Sequence, residues 1–114
     1  MMTKDIKMVR GTSRTFAVSV TDANGNPYTL QSGEKLIFGV KKQAADEELL
    51  ICKVVTDCVD GVCTVELDPE DTIELAVGKY LYDVGLQSAD DYYIIVELSN
   101  FNIAANVTKW GDGA

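Results

Sequence analysis

Between Ser13 and Thr21 the chain alternates residue by residue, with Phe16, Val18 and Val20 on one side and Ala17, Ser19 and Thr21 on the other. A period of two belongs to a half-buried β-strand, and it recurs. Lys35 to Lys41 turns Leu36, Phe38 and Val40 inward, and Gly39 faces out or meets a close neighbour. Val62 to Asp68 sets Cys63, Val65 and Leu67 opposite Val62, Thr64 and Glu66. Lys79 to Gln87 alternates Tyr80, Tyr82, Val84 and Leu86 with Leu81, Asp83, Gly85 and Gln87. Less regular runs add an edge strand at Ile6 to Arg10, a strand at Leu49 to Thr56 that is apolar on both sides and ambiguous in register, another at Tyr92 to Leu98, and a last short one at Asn100 to Val107. Tyr28 to Leu30 has room for a brief extension.

Turn formers punctuate these runs: Asp22 to Pro27, with Asn24-Gly25 the strongest pair, then Ser32-Gly33, a hairpin loop at Asp57 to Gly61, and Ser88 to Asp91. Lys41 to Glu48 is polar and reads as a loop crossing between sheets. Only Pro69 to Leu75 departs from the strand pattern. Asp68 as N-cap, Pro69 at the first helical position and Glu70 and Asp71 in the first turn predict one or two turns of helix, ended by Gly78.

No second helical pattern appears, which excludes a parallel α/β fold, and hairpin connections make the strands mainly antiparallel. The prediction is an all-β fold: an immunoglobulin-like antiparallel β-sandwich of seven to nine strands with one short helical turn near residues 69–75. In it the strand–corner–strand unit from Leu67 to Leu86 passes from one sheet to the other. Residues 1–109 are expected to form a single domain and 110–114 a loose tail.

With 114 residues, 46% hydrophobic and 25% charged, the chain suits one globular domain that folds without staples. A net charge of −8 works against binding nucleic acid or an anionic membrane; it reads first as a well-solvated acidic surface, with an electrostatic match to a basic protein partner as the alternative. No apolar run is long enough to span a bilayer. MMTKDIKMVRG lacks the apolar core of a signal peptide, so synthesis and folding in a cytosol are expected.

The chain contains no histidine. That removes the commonest general base and metal ligand, and with it any Ser–His–Asp or Cys–His arrangement within the chain. Cys52, Cys58 and Cys63 are an odd set without a signal peptide, and zinc lacks a fourth ligand. Reduced thiols filling strand positions are the expectation, with a Cys52–Cys63 bond across neighbouring strands as the alternative. Lys53 follows Cys52 but faces the other side of a strand, so it does not activate that thiol.

The carboxylate groups Asp46–Glu47–Glu48, Glu70–Asp71 and Asp90–Asp91 fall in turns, where solvation or capping outweighs catalysis. Asp22-x-Asn24-x-Asn26 opens like a calcium loop, but Pro27 and Gly33 stand where Gly and Glu are required. Nor does a Gly-rich run lead into a helix to cradle phosphate. No catalytic, cofactor-binding or metal-binding residue is assigned, and no cofactor is expected. Tyr80, Tyr82 and Tyr92 are expected in the core with hydroxyls at its rim. Tyr28, Tyr93 and Trp110 are the candidates for exposed partner contacts.

Four segments carry a resemblance: KDIKMVRGTSRTFAVSVTDANGNPYTL, KLIFGVKK, LDPEDTIELAVGKYLYDVGLQ and NVTKW. They resemble small phage and prophage structural proteins of Gram-positive bacteria, and are similar to the N-terminal domain of the baseplate upper protein family, from about Lys4 to Lys109. The resemblance implies a β-sandwich and a non-enzymatic component of a phage tail or baseplate, with other phage structural proteins as partners, a homo-oligomer among the arrangements, and a place in a virion assembled in the bacterial cytoplasm. Family members often carry receptor-binding domains after the sandwich; none is expected in these residues, which suit a small adaptor or a fragment. A carbohydrate-binding or host-surface adhesion module on the same scaffold is the alternative, with Tyr28, Tyr92, Tyr93 and Trp110 as its stacking material. A small carboxylate enzyme ranks last.

Overall fold

A computed structural model describes residues 4–107. Its strands are β1 (Ile6–Val9), β2 (Arg14–Ser19), β3 (Lys35–Lys41), β4 (Ile51–Val55), β5 (Cys58–Val59), β6 (Val62–Leu67), β7 (Gly78–Gln87) and β8 (Tyr92–Ala104), with one helix, α1 (Pro69–Ile73). Five strands in the order β1-β8-β7-β3-β4 make one sheet and three in the order β2-β6-β5 make the other. The predicted all-β sandwich is therefore present, with eight strands among the described residues.

Alternation becomes a core where the inward sides of the sheets meet. Leu36, Phe38, Val40, Cys63, Val65, Leu67, Tyr80, Tyr82, Val84 and Leu86 are all buried. Phe38 is the centre of the aromatic packing, its ring centroid 5.2 Å from Phe16 of the opposite sheet, 5.4 Å from Tyr82 and 6.1 Å from Phe101. The two core tyrosines keep their hydroxyls satisfied at the rim, as expected. Tyr80 donates to the Ala76 carbonyl at 2.7 Å and Tyr82 to the Lys4 carbonyl. Burial first, then the nearby Asp5 charge, pushes the Tyr82 hydroxyl pKa up.

The corner from Leu67 to Leu86 makes the predicted crossing: β6 lies in the three-stranded sheet, β7 in the five-stranded one, and α1 joins them. Asp68 is the N-cap. The Asp71 carboxylate accepts the Asp68 N–H at 2.7 Å and pairs with Lys53 of β4 at 2.9 Å. Thr72, fully buried, accepts the Gly11 N–H on its Oγ1 at 2.7 Å, which ties the β1–β2 turn to the helix. The helix ends at Ile73 with Glu74 as C-cap, and Gly78 opens β7 rather than closing α1.

The strands are mainly antiparallel, as expected; the exception is β1, which runs parallel to β8, with Ile6 opposite Phe101 and Val9 opposite Ala104. No short turn links these distant segments, so nothing local constrains their direction. Lys41 to Glu48 does not cross between sheets; it joins β3 to its antiparallel neighbour β4, closed by Leu50 N–H to the Val40 carbonyl at 2.7 Å. The predicted break between the last two strands is absent, and β8 runs thirteen residues. Its pairing shifts instead: from Tyr82/Ser99 to Val84/Val96 to Gly85/Ile94, β8 takes one more residue than β7 at each step. Two bulges of this kind absorb the irregularity that reads as a turn in sequence.

The thiols also depart from expectation. Cys58 and Cys63 form a disulfide, and Cys52 is free and exposed on β4. The hairpin loop is narrower than Asp57 to Gly61. β5 occupies Cys58–Val59, and the turn is Asp60-Gly61 with φ of 51° and 78°. A two-residue turn with both φ positive places Val59 opposite Val62 and Cys58 opposite Cys63. Direct opposition brings the sulfurs together, whereas Cys52 belongs to the other sheet.

Candidate functional site

Three strands of the larger sheet turn an unusual set of side chains outward. On β3 these are Ile37, Gly39 and Lys41, paired across to Gly85, Asp83 and Leu81 of β7. On β4, Cys52 and Val54 lie beside Gly39 and Ile37. β7 is the middle strand of the five, so Asp83 stands at the centre of this face. Glycine at 39 and 85 lowers the floor on either side of it. A Cβ at Gly39 would come within 2.8 Å of the Leu49 side chain, and one at Gly85 would collide with the Tyr92 ring. Leu49 and Tyr92 thus lie against bare backbone. With Leu81, Leu98, Ala44, Glu47 and Lys41 they border a shallow depression of about 340 Å³.

The middle of this face is apolar where a solvated sheet face is polar, and Lys35 with Gln87 and Lys79 with Asn102 lie toward its ends. Leu49, Leu98, Tyr92 and Val54 are 43%, 50%, 54% and 54% exposed. Amid them the Asp83 side chain makes no hydrogen bond or ion pair among the described residues. Loss of water raises the Asp83 pKa, and the Lys41 charge offsets part of that rise. Burial, then the Asp83 charge, pushes the Tyr92 hydroxyl up in turn.

A carboxyl whose folded pKa lies above its unfolded value binds more protons in the native state, so stability falls as pH rises through that window. Its contribution is full below the ordinary aspartate value of 3.8 and is lost above the raised folded value. Asp83→Asn is accordingly expected to raise the thermal midpoint slightly at pH 7 and to leave it unchanged near pH 3, in melts followed by circular dichroism. A lower midpoint for the variant at pH 7 would show that the Lys41 attraction outweighs desolvation.

The predicted contact residues do not form one patch on this face. Tyr28 is half-buried, packs against the core, and donates its hydroxyl to the Glu34 carboxylate at 2.8 and 3.0 Å. That hydrogen bond, followed by burial, raises its pKa, with the Glu34 and Tyr93 charges adding to the rise. Tyr93 is 58% exposed and pairs with the inward-facing Leu86, so it leans toward the Tyr28 end of the sandwich. Trp110 and the tail 110–114 lie outside the described residues. Tyr92 departs from its expected core position: it pairs with Gln87, on the outer face, and covers Gly85. Asp83, Leu49 and Leu98 carry no motif. One signal for them is legible: Gly39 and Gly85 both fall on the outward phase of strands that pair.

No group of three or more His, Cys, Asp or Glu side chains suited to a metal occurs among the described residues. None of the described helices is long and apolar enough to cross a membrane.

One solved structure similar to this chain is the N-terminal domain of phage TP901-1 ORF48. The sequence identity is 12%, the match covers 94% of this chain and 86% of that one, and the TM-score is 0.46. No family model matches the chain, and neither does any curated protein.

Proposed function

We propose that this chain is a structural module of a phage or prophage tail or baseplate, acting through protein–protein contacts and catalysing no reaction. The observation that carries the reading is the segment LDPEDTIELAVGKYLYDVGLQ. It is the central piece of the resemblance, and it folds as the resemblance implies, with β6 in one sheet, β7 in the other and α1 between.

The surfaces suit contact rather than chemistry. Among the described residues both sheets end in unpaired edge strands, β1 and β4 in one and β2 and β5 in the other. On β4 the inward Lys53, paired with Asp71, guards one of these edges against indiscriminate strand addition. The larger sheet adds an exposed apolar face. Other phage structural proteins are the proposed partners, or further copies of this chain, within a virion assembled in the bacterial cytoplasm; nucleic acid and membrane are not among them. Against the carbohydrate-binding alternative, Tyr92 and Tyr93 leave the sheet on opposite faces and do not share one stacking platform.

Co-expression with the products of the flanking genes, followed by size exclusion with light scattering, tests the reading. A stable complex with at least one of them is expected. A chain that stays monomeric and binds none of them overturns it.

A further inference from the structure

We infer that the outer face of the five-stranded sheet receives an apolar segment of another protein bearing lysine or arginine, whose cation pairs with Asp83 while its apolar neighbours cover Leu49, Leu81 and Leu98. This deepens the proposed contact role and rests on it.

Asp83 sits mid-way along β7, the middle strand, where the neighbouring walls are apolar or glycine except for Lys41, Glu47 and the Tyr92 hydroxyl. Lys41 is beyond ion-pair reach: the ion pair found among the described residues is Lys53–Asp71. A carboxylate partly withdrawn from water without a partner costs free energy, and an arriving cation recovers it. Retaining such a group at the centre of an apolar face weakens the isolated fold, and a charge-assisted hydrogen bond to a partner offsets that weakness.

The charge pattern selects the occupant. Two acids, Asp83 and Glu47, face one base at the depression, and the whole chain carries −8. A second copy brings the same sign of charge and is repelled, whereas a basic segment is steered in. The apolar rim matches the apolar flank of such a segment. The depression, about 340 Å³ and open to solvent, accommodates one long side chain rather than a folded ligand.

The test uses the full chain labelled with nitrogen-15 and two capped pentapeptides, Leu-Arg-Leu-Arg-Leu and Leu-Glu-Leu-Glu-Leu. The arginine peptide is expected to shift the amide signals of Gly39, Asp83, Gly85 and Leu98, and the glutamate peptide to leave them in place. Asp83→Asn keeps the side-chain shape and is expected to weaken arginine-peptide binding about tenfold, the loss of one charge-assisted hydrogen bond. Shifts confined to other surfaces, equal binding of both peptides, or indifference to Asp83→Asn overturn the inference. Self-association that moves the same amides also overturns it, since it assigns the face to a second copy. If wild type and Asp83→Asn form the same complex with a flanking gene product while the peptide fails, this face is excluded and the assembly role stands. Peptide binding as expected with no complex at all rejects the assembly role and keeps the face.

Discussion

Phe38→Ala is expected to lower the unfolding free energy by about 3–5 kcal/mol, the range for removing a large aromatic from a packed core. Phe38 is fully buried. Its ring meets Phe16 of β2 edge-on at 5.2 Å, Tyr82 of β7 at 5.4 Å and Phe101 of β8 at 6.1 Å. It therefore joins the two sheets as well as three strands. Truncation removes apolar transfer energy, leaves a cavity that strands on two sides cannot both close, and deletes aromatic pairs worth about 0.5–1.5 kcal/mol each beyond their area. Urea unfolding followed by tyrosine and tryptophan fluorescence measures the loss. Val54→Ala is the control. Val54 is 54% exposed on β4, and its loss is expected to cost under about 0.5 kcal/mol. A Phe38→Ala loss below about 1.5 kcal/mol would mean that the core repacks and that the ring cluster does not hold the sheets together.

Reducing the Cys58–Cys63 bond is expected to cost about 2 kcal/mol, the chain-entropy value for so short a loop. The bonded residues are five apart in sequence. β5 is two residues long and, among the described residues, pairs only with β6, through Cys58–Cys63 and Val59–Val62. Without the crosslink little else holds that edge, so its amides are expected to exchange faster on reduction while β7 and β8 stay protected. Urea curves with and without a phosphine reductant measure the difference. Cys52→Ser is expected to leave both curves in place, because Cys52 is exposed and unbonded. Thiol titration of the unfolded, unreduced chain should find one free thiol; three would remove the crosslink.

The candidate site was partly legible in sequence. The outward phase of β7, with Asp83 and Gly85, follows directly from alternation in Lys79 to Gln87. What alternation does not supply is which strand lies alongside. Gly39 faces Asp83 only because β3 and β7 pair in one register, and Leu49 reaches Gly39 only because the Lys41–Glu48 loop folds back within the same sheet. Tyr92 was placed in the core for its aromatic character, yet two bulges in β8 and its pairing with Gln87 set it outside. The disulfide was legible in principle. Asp60-Gly61 is a strong two-residue turn pair, and counting outward from it reaches Cys58 and Cys63 together. The count fails if all of Asp57 to Gly61 is loop, and the structure narrows the turn to Asp60-Gly61.

By itself the sequence determined the strand segments, the inward residues Phe38, Tyr80, Tyr82 and Val84, the Asp68 cap, the crossing corner and the absence of histidine chemistry. These follow from side-chain direction between adjacent residues and from capping within one turn, both local properties of the backbone. Only the tertiary structure decided that β1 runs parallel to β8, that β8 is one bulged strand, that Cys58 meets Cys63, and that Asp83 stands without a partner between two glycines. Each of these depends on where a segment distant in sequence comes to lie, or on how two strands match residue for residue across a sheet. Such pairings are chosen by the packing of the whole core.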